Sequence, residues 1–151
     1  MALHGSREVV IESSLEGILD ALADVAAMPS WLPLYKQAEV LDRYADGRPH
    51  HVKVIAKFMG VVDPEVLEYH WGPNWVVWDA ASTPHVRALH AEYTFEPRLD
   101  GTHVHFNLTL EQGGMRAAVV SKWAQKFVLD GATDGLCNYV AAQKTIVDDA
   151  E

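Results

Sequence analysis

MRAAVVSKWAQKFVLDGATDGLCNYVAAQKTIV, residues 115–147, is the stretch whose reading decides the fold. It holds no proline, and Val120, Trp123, Ala124, Phe127, Val128, Gly131, Ala132, Tyr139, Val140, Gln143, Ile146 and Val147 recur at helical spacing. Lys122, Lys126, Asp130, Thr133, Lys144 and Asp148 fall on the other side. A period of 3.6 with a polar back predicts one amphipathic helix. At about 1.5 Å per residue it would reach roughly 50 Å. So long an apolar stripe needs a large apolar partner, which the chain before it has to supply.

That chain has a different texture. From Lys36 to Glu111, Gly47, Pro49, Gly60, Pro64, Gly72, Pro73, Pro84, Pro97 and Gly101 interrupt runs rich in Val, Tyr, Trp, Phe and Thr. The pattern predicts an antiparallel meander with strands at 36–45, 49–60, 65–71, 75–82, 86–98 and 102–111. Arg7–Glu12 adds a first strand, making seven. Ser13 and Glu16 read as a capping box, and Leu15, Ile18, Leu19, Leu22 and Val25 continue at helical spacing. Pro29 then opens a second short helix that Pro33 limits. Trp31 lies in that turn, either as a plug between helices or as a lid over a pocket.

Strand parity and turns give trial registers. A turn at Pro73-Asn74 sets Tyr69 opposite Trp78 and Trp71 opposite Val76. A turn at Asp63-Pro64 sets Phe58 opposite Tyr69, and a loop at Asp100-Gly101 sets Phe95 opposite Phe106. Phe58, Tyr69 and Trp78 would then form an aromatic row on one face. The other face, with Lys53, Glu68, His70, Asp79, His103 and His105, reads as wet. A sheet wet on one side and a long helix wet on one side combine as an α+β domain over residues 1–151. Its curved seven-stranded antiparallel sheet would wrap the C-terminal helix, with two short helices between strands one and two.

The totals narrow the function. The formal net charge is −9 and no Lys/Arg cluster occurs, which argues against nucleic acid and anionic membranes as partners. No apolar run has the length of a membrane span, and the first residues lack a signal-peptide core. The lone Cys137 fits a reducing cytoplasm. No nucleotide-binding or G-x-S-x-G motif is present, and no cofactor is expected.

The order of elements and the local wording resemble the polyketide cyclase/dehydrase branch of the START-like, or SRPBCC, superfamily, whose helix-grip fold is also that of Bet v 1-like proteins. The resemblance runs through Val9–Ser14, Leu22–Val25, Pro29–Pro33, Ala38–Leu41, Glu68–Trp71, Tyr93–Pro97, Asp100–Val104 and Ala132–Leu136. It implies a deep apolar cavity between sheet and long helix, holding a lipid- or polyketide-like small molecule. Only some members are enzymes, so fold does not fix activity.

Inward parity nominates Phe58, Tyr69, Trp71, Trp78, Tyr93, Phe95, Phe106, Trp123 and Phe127 for that cavity, with Trp31 and Tyr35 at its end. Arg87 shares the parity of Leu89 and Tyr93; it is either an inward anchor for a ligand oxygen or a rim residue snorkelling to water. Gly131, Ala132 and Gly135 form a thin place in the helix, marking either close packing or empty space. His103 and His105 with Glu96 lack a third closed ligand, and His50-His51 reads as exposed, so no metal site is expected. No general base stands out among the inward groups. Binding of an apolar or amphipathic small molecule is therefore the expected function. An aromatase/cyclase or dehydratase in the same cavity is the alternative, and an interaction module a third reading. Trp75 and Val77, of outward parity, would either form a homodimer patch or sit under a loop.

Overall fold

Apolar and polar side chains alternate along the strands with period two, and the alternation assembles them into one sheet. The computed structural model describes residues 2–58, 61–80, 86–112 and 126–150. Strands β1 (Ala2–Ile11), β2 (Tyr35–Arg43), β3 (Pro49–Phe58), β4 (Val61–Trp71), β5 (Trp75–Ala80), β6 (Val86–Arg98) and β7 (Gly101–Gln112) pair antiparallel in the order β1-β7-β6-β5-β4-β3-β2. On β6 Leu89, Ala91, Tyr93 and Phe95 are buried; on β7 Val104, Phe106, Leu108 and Leu110 are. Between β1 and β2 lie α1 (Leu15–Ala23), a 3-10 turn (Val25–Ala27) and the short α2 (Met28–Trp31). The C-terminal helix α3 is α-helical at 126–130, π-helical over Gly131–Gly135 and α-helical again over Leu136–Ala150. No helix among the described residues is long and apolar enough to cross a membrane.

Several boundaries differ from expectation, each for a local reason. β1 begins at Ala2 rather than Arg7, because β7 runs long enough to pair it from Glu111 to Thr102. The α1 cap is Ser14, whose hydroxyl accepts from Gly17 N at 3.0 Å, not Ser13. β3 and β4 pair right up to Phe58 with Val61, and Ala56 with Asp63, so the connection does not lie at Asp63-Pro64. Pro64 therefore lies inside β4, opposite Ile55. The described β4–β5 ladder ends at Leu67–Ala80, so the missing Pro64 N–H breaks no bond in it. The β6–β7 loop is Leu99-Asp100, one residue earlier than expected, with Arg98 opposite Gly101. Gly101 takes a φ of 130°, and a Cβ there would lie 2.5 Å from the Ile11 carbonyl oxygen. The shift moves every β6–β7 pair by two and leaves the faces unchanged: Tyr93 is opposite Phe106, and Phe95 opposite Val104. The expected start of the long helix at Met115 lies outside the described residues.

Four contacts pin α3. Arg7 on β1 forms an ion pair with Asp130, which Lys126 also meets at 3.1 Å. Tyr139 donates to Asp24 at 3.0 Å, beyond the end of α1. Tyr93 donates to the Ala132 carbonyl at 2.7 Å. The glycines settle the fourth contact as close packing: a Cβ at Gly135 would sit 2.2 Å from the Trp31 carbonyl oxygen, and one at Gly131 2.7 Å from Leu32 Cδ1. The thin place admits the α2 turn.

Candidate functional site

The inner face is built from rows that cross the sheet. Tyr69 on β4 is opposite Trp78 on β5, which is opposite Ala91 on β6. Val76 faces Tyr93, which faces Phe106. These pairings bring the rings together. Tyr69 stacks on Trp78 at 5.1 Å, Trp78 meets Tyr93 at 5.7 Å, and Tyr93 lies 4.7 Å from Phe106 and 5.8 Å from Phe95. Such offset and tilted contacts favour aromatic rings beyond their area burial. Tyr69, Trp78, Tyr93, Phe95 and Phe106 are all buried, as are Trp31 and Tyr35.

Other nominated residues stand apart from this group. Trp71 is half-buried at its edge; its ring stacks on Tyr69, its Nε1 donates to the Pro49 carbonyl at 2.8 Å, and Arg48 lies over its face at 4.9 Å. Phe127 is half-buried and lines an open groove of 530 Å³ between α2 and α3, shared with Trp31, Gly131 and Tyr139. Phe58 is opposite Val61, not Tyr69, so it does not extend the aromatic row as expected. Its side chain, that of Arg87, and all of Trp123 lie outside the described residues. The parity used to orient Arg87 is interrupted there, because a bulge shifts the β6 register between Val86 and Ala88.

Two acidic residues that sequence reasoning missed also belong to the inner face. Asp63 and Glu65 are each only 5% exposed, and lie on the same side of β4 as Leu67 and Tyr69. Reading a turn at Asp63-Pro64 hid them; carrying the Tyr69 parity back through Leu67 would have found them. Burial, then a hydrogen bond to Asp63 and its charge, push the Glu65 carboxyl up to about 8. Glu65 is thus largely protonated at neutral pH and can donate a proton. Its Oε1 is buried with no hydrogen-bond partner, as are Trp78 Nε1 and Trp31 Nε1. Tyr35 sits among these groups: burial first, then the Glu65 and Tyr69 charges, raise its hydroxyl well above the ordinary value. It approaches Trp78 Nε1 without making a bond of proper geometry. Tyr69 and Tyr93 are raised by burial too, so both stay protonated.

The π turn follows from the same geometry. In an α-helix Leu136 N would donate to Ala132; here it donates to Gly131 and Thr133. The Ala132 carbonyl is thereby released to accept from Tyr93, which joins the aromatic face to α3. Thr133 holds the turn through its Oγ1, bonded to the Leu129 carbonyl at 2.8 Å. The arrangement offers a flat apolar wall, a few buried hydroxyl and indole donors, and one carboxyl able to give or take a proton.

The model of the polyketide cyclase / dehydrase and lipid transport family matches residues 2–141. Among curated proteins none matches. Solved structures of similar fold include a START superfamily protein from Mycobacterium smegmatis, 21% identical with a TM-score of 0.80 over 93% of this chain and 98% of that one. The Zhui aromatase/cyclase from a Streptomyces species is 13% identical, with a TM-score of 0.71 over 93% and 94%. A point mutant of norcoclaurine synthase from Thalictrum flavum is 11% identical, with a TM-score of 0.69 over 95% and 97%. At these identities the structures establish the fold, a seven-stranded helix grip.

Proposed function

The chain belongs to the polyketide cyclase / dehydrase and lipid transport family, and on that premise we propose that it binds a hydrophobic or amphipathic small molecule between the sheet and α3. The observation that carries this reading is the set of unpartnered polar atoms on an otherwise apolar face. Trp78 Nε1 and Glu65 Oε1 are buried without partners, and buried polar groups in folded proteins are almost always paired. A ligand with an apolar, ring-sized body and one or two oxygen or nitrogen atoms supplies both the contact and the missing hydrogen bonds. The wall is formed by Tyr69, Trp78, Tyr93, Phe95 and Phe106, with Tyr35 and Glu65 at its polar end. The fold relatives fit this reading without specifying the ligand.

One observation favours the alternative, an aromatase/cyclase or dehydratase on polyketide-like substrates. Glu65 is a proton donor at neutral pH beside a second carboxyl group, which is what protonation of a departing hydroxyl requires. We place the protein in the cytoplasm, in keeping with its lone thiol. Trp75 and Val77 would form the homodimer patch, although the Trp75 ring already lies over Gly72 of its own turn.

A panel of fatty acids, sterols and polyphenols in a thermal-shift assay tests the binding. At least one class should raise the melting temperature; a panel without effect removes the proposal. Glu65→Gln separates the readings, leaving the shift nearly intact in a carrier and abolishing turnover of a polyketone in an enzyme.

A further inference from the structure

On the outer face, across the sheet from the aromatic wall, β2, β3 and β4 bring Asp42, His51 and Glu68 into one row: Asp42 is the register partner of His51, and His51 of Glu68. His50 joins them. It is not exposed as expected but half-buried, its ring stacked on Tyr44 at 4.2 Å and against His51 at 4.0 Å. Asp42 Oδ1 lies 3.0 Å from His51 Nδ1 and 3.6 Å from His50 Nδ1. On the far side of both rings, Glu68 lies 3.6 Å from His50 Nε2 and 4.0 Å from His51 Nε2. It also meets His70 Nε2 at 3.3 Å.

We propose that Asp42, His50 and His51 form a binding site for a divalent transition-metal ion, with Glu68 orienting both imidazoles. Each ring turns one nitrogen to Asp42 and the other to Glu68. A proton on Nε2 facing Glu68 leaves the Nδ1 lone pair aimed at the Asp42 oxygen. This is the carboxylate–imidazole arrangement that fixes tautomers at metal centres. Two ligands each about 2.0–2.2 Å from a tetrahedral ion stand roughly 3.3–3.5 Å apart. The 3.0 and 3.6 Å separations bracket that edge. Two imidazoles and one carboxylate suit Zn²⁺, Co²⁺, Ni²⁺ or Cu²⁺ and not Mg²⁺ or Ca²⁺. Partial exposure of both rings leaves a fourth position for water. The chain's net charge of −9 raises the local cation concentration. A bound ion would clamp edge strand β2 to β3 without touching the apolar face.

The test is calorimetric titration of untagged, chelator-treated protein with ZnCl₂, with MgCl₂ as control. One equivalent of Zn²⁺ should bind with micromolar or tighter affinity and raise the melting temperature, while Mg²⁺ gives no heat. His51→Ala and Asp42→Asn should each abolish uptake with the far-UV spectrum unchanged. Glu68→Gln, acting only through the rings, should weaken it by about 10-fold. His103→Ala, which removes a separate pair with Asp100 at 3.0 Å, should leave it unaffected. Absence of saturable Zn²⁺ binding overturns the proposal, as does binding that survives the His51→Ala and Asp42→Asn changes; the cluster is then a hydrogen-bonded surface network only.

Discussion

Replacing Glu65 by Gln asks whether the inner face holds a neutral carboxyl. Burial and Asp63 raise Glu65 from 4.5 to about 8. Between those values the unfolded chain has released the proton and the folded chain keeps it. Folded protein then binds more protons than unfolded, so stability falls as pH rises. The slope is about 1.4 kcal/mol per pH unit, full stability lying below pH 4.5 and the loss ending above pH 8. The whole interval sums to about 5 kcal/mol, a ceiling; relaxation of the site around the charge brings the expected effect to roughly half of that. Gln is isosteric, does not ionise, and its amide still donates to Asp63. Urea unfolding of both proteins at several pH values from 5 to 8, followed by tryptophan fluorescence, gives the difference directly. Glu65→Gln should gain steadily on the parent, by about 2–3 kcal/mol between pH 5 and pH 8. The comparison cancels other titrating groups, such as His90, where Asp79 and Glu92 outweigh burial and raise the imidazole. A difference that stays constant with pH would refute the buried, protonated carboxyl and with it the proton-donor role.

Other expectations follow from single contacts. Tyr93→Phe strands the Ala132 carbonyl in the core, which should cost about 1–3 kcal/mol and speed amide exchange across 131–136; unchanged exchange would mean the hydroxyl does not hold the π turn. Gly135→Ala drives a Cβ toward the Trp31 carbonyl and should cost at least about 2 kcal/mol, against about 1 kcal/mol for Gly47→Ala, which faces open space but has a φ of 90°. Equal melting temperatures for the two variants would contradict the close packing. Ser14→Ala should lower stability by about 1 kcal/mol and Ser13→Ala by much less; the reverse order would restore Ser13 as the cap.

The sequence made the architecture readable because periodicity carries it. The apolar stripe of the last helix and the alternation of the strands survive small errors of register. The β6–β7 loop was misplaced by one residue, yet Tyr93, Phe95 and Phe106 still fall inward, since a two-residue shift preserves parity. Proline was the harder signal. Pro64 reads as a turn, and only its neighbours in three dimensions reveal that β4 continues past it to Val61. That one reading concealed Asp63 and Glu65, the two groups on the inner face with proton chemistry. The glycines of the last helix were legible as a thin place, but not as the seat of Trp31 and Leu32, because a contact between α2 and α3 has no trace in local spacing. The Asp42–His51–Glu68 row was likewise hidden, since it depends on registers across three strands.

The most direct test of a ligand between the sheet and α3 is native mass spectrometry of protein purified without detergent or heat. The account predicts a second species heavier than the apoprotein by the mass of one apolar small molecule, released when the protein is unfolded. Apoprotein alone, both as purified and after incubation with fatty acids, sterols and polyphenols, would contradict it.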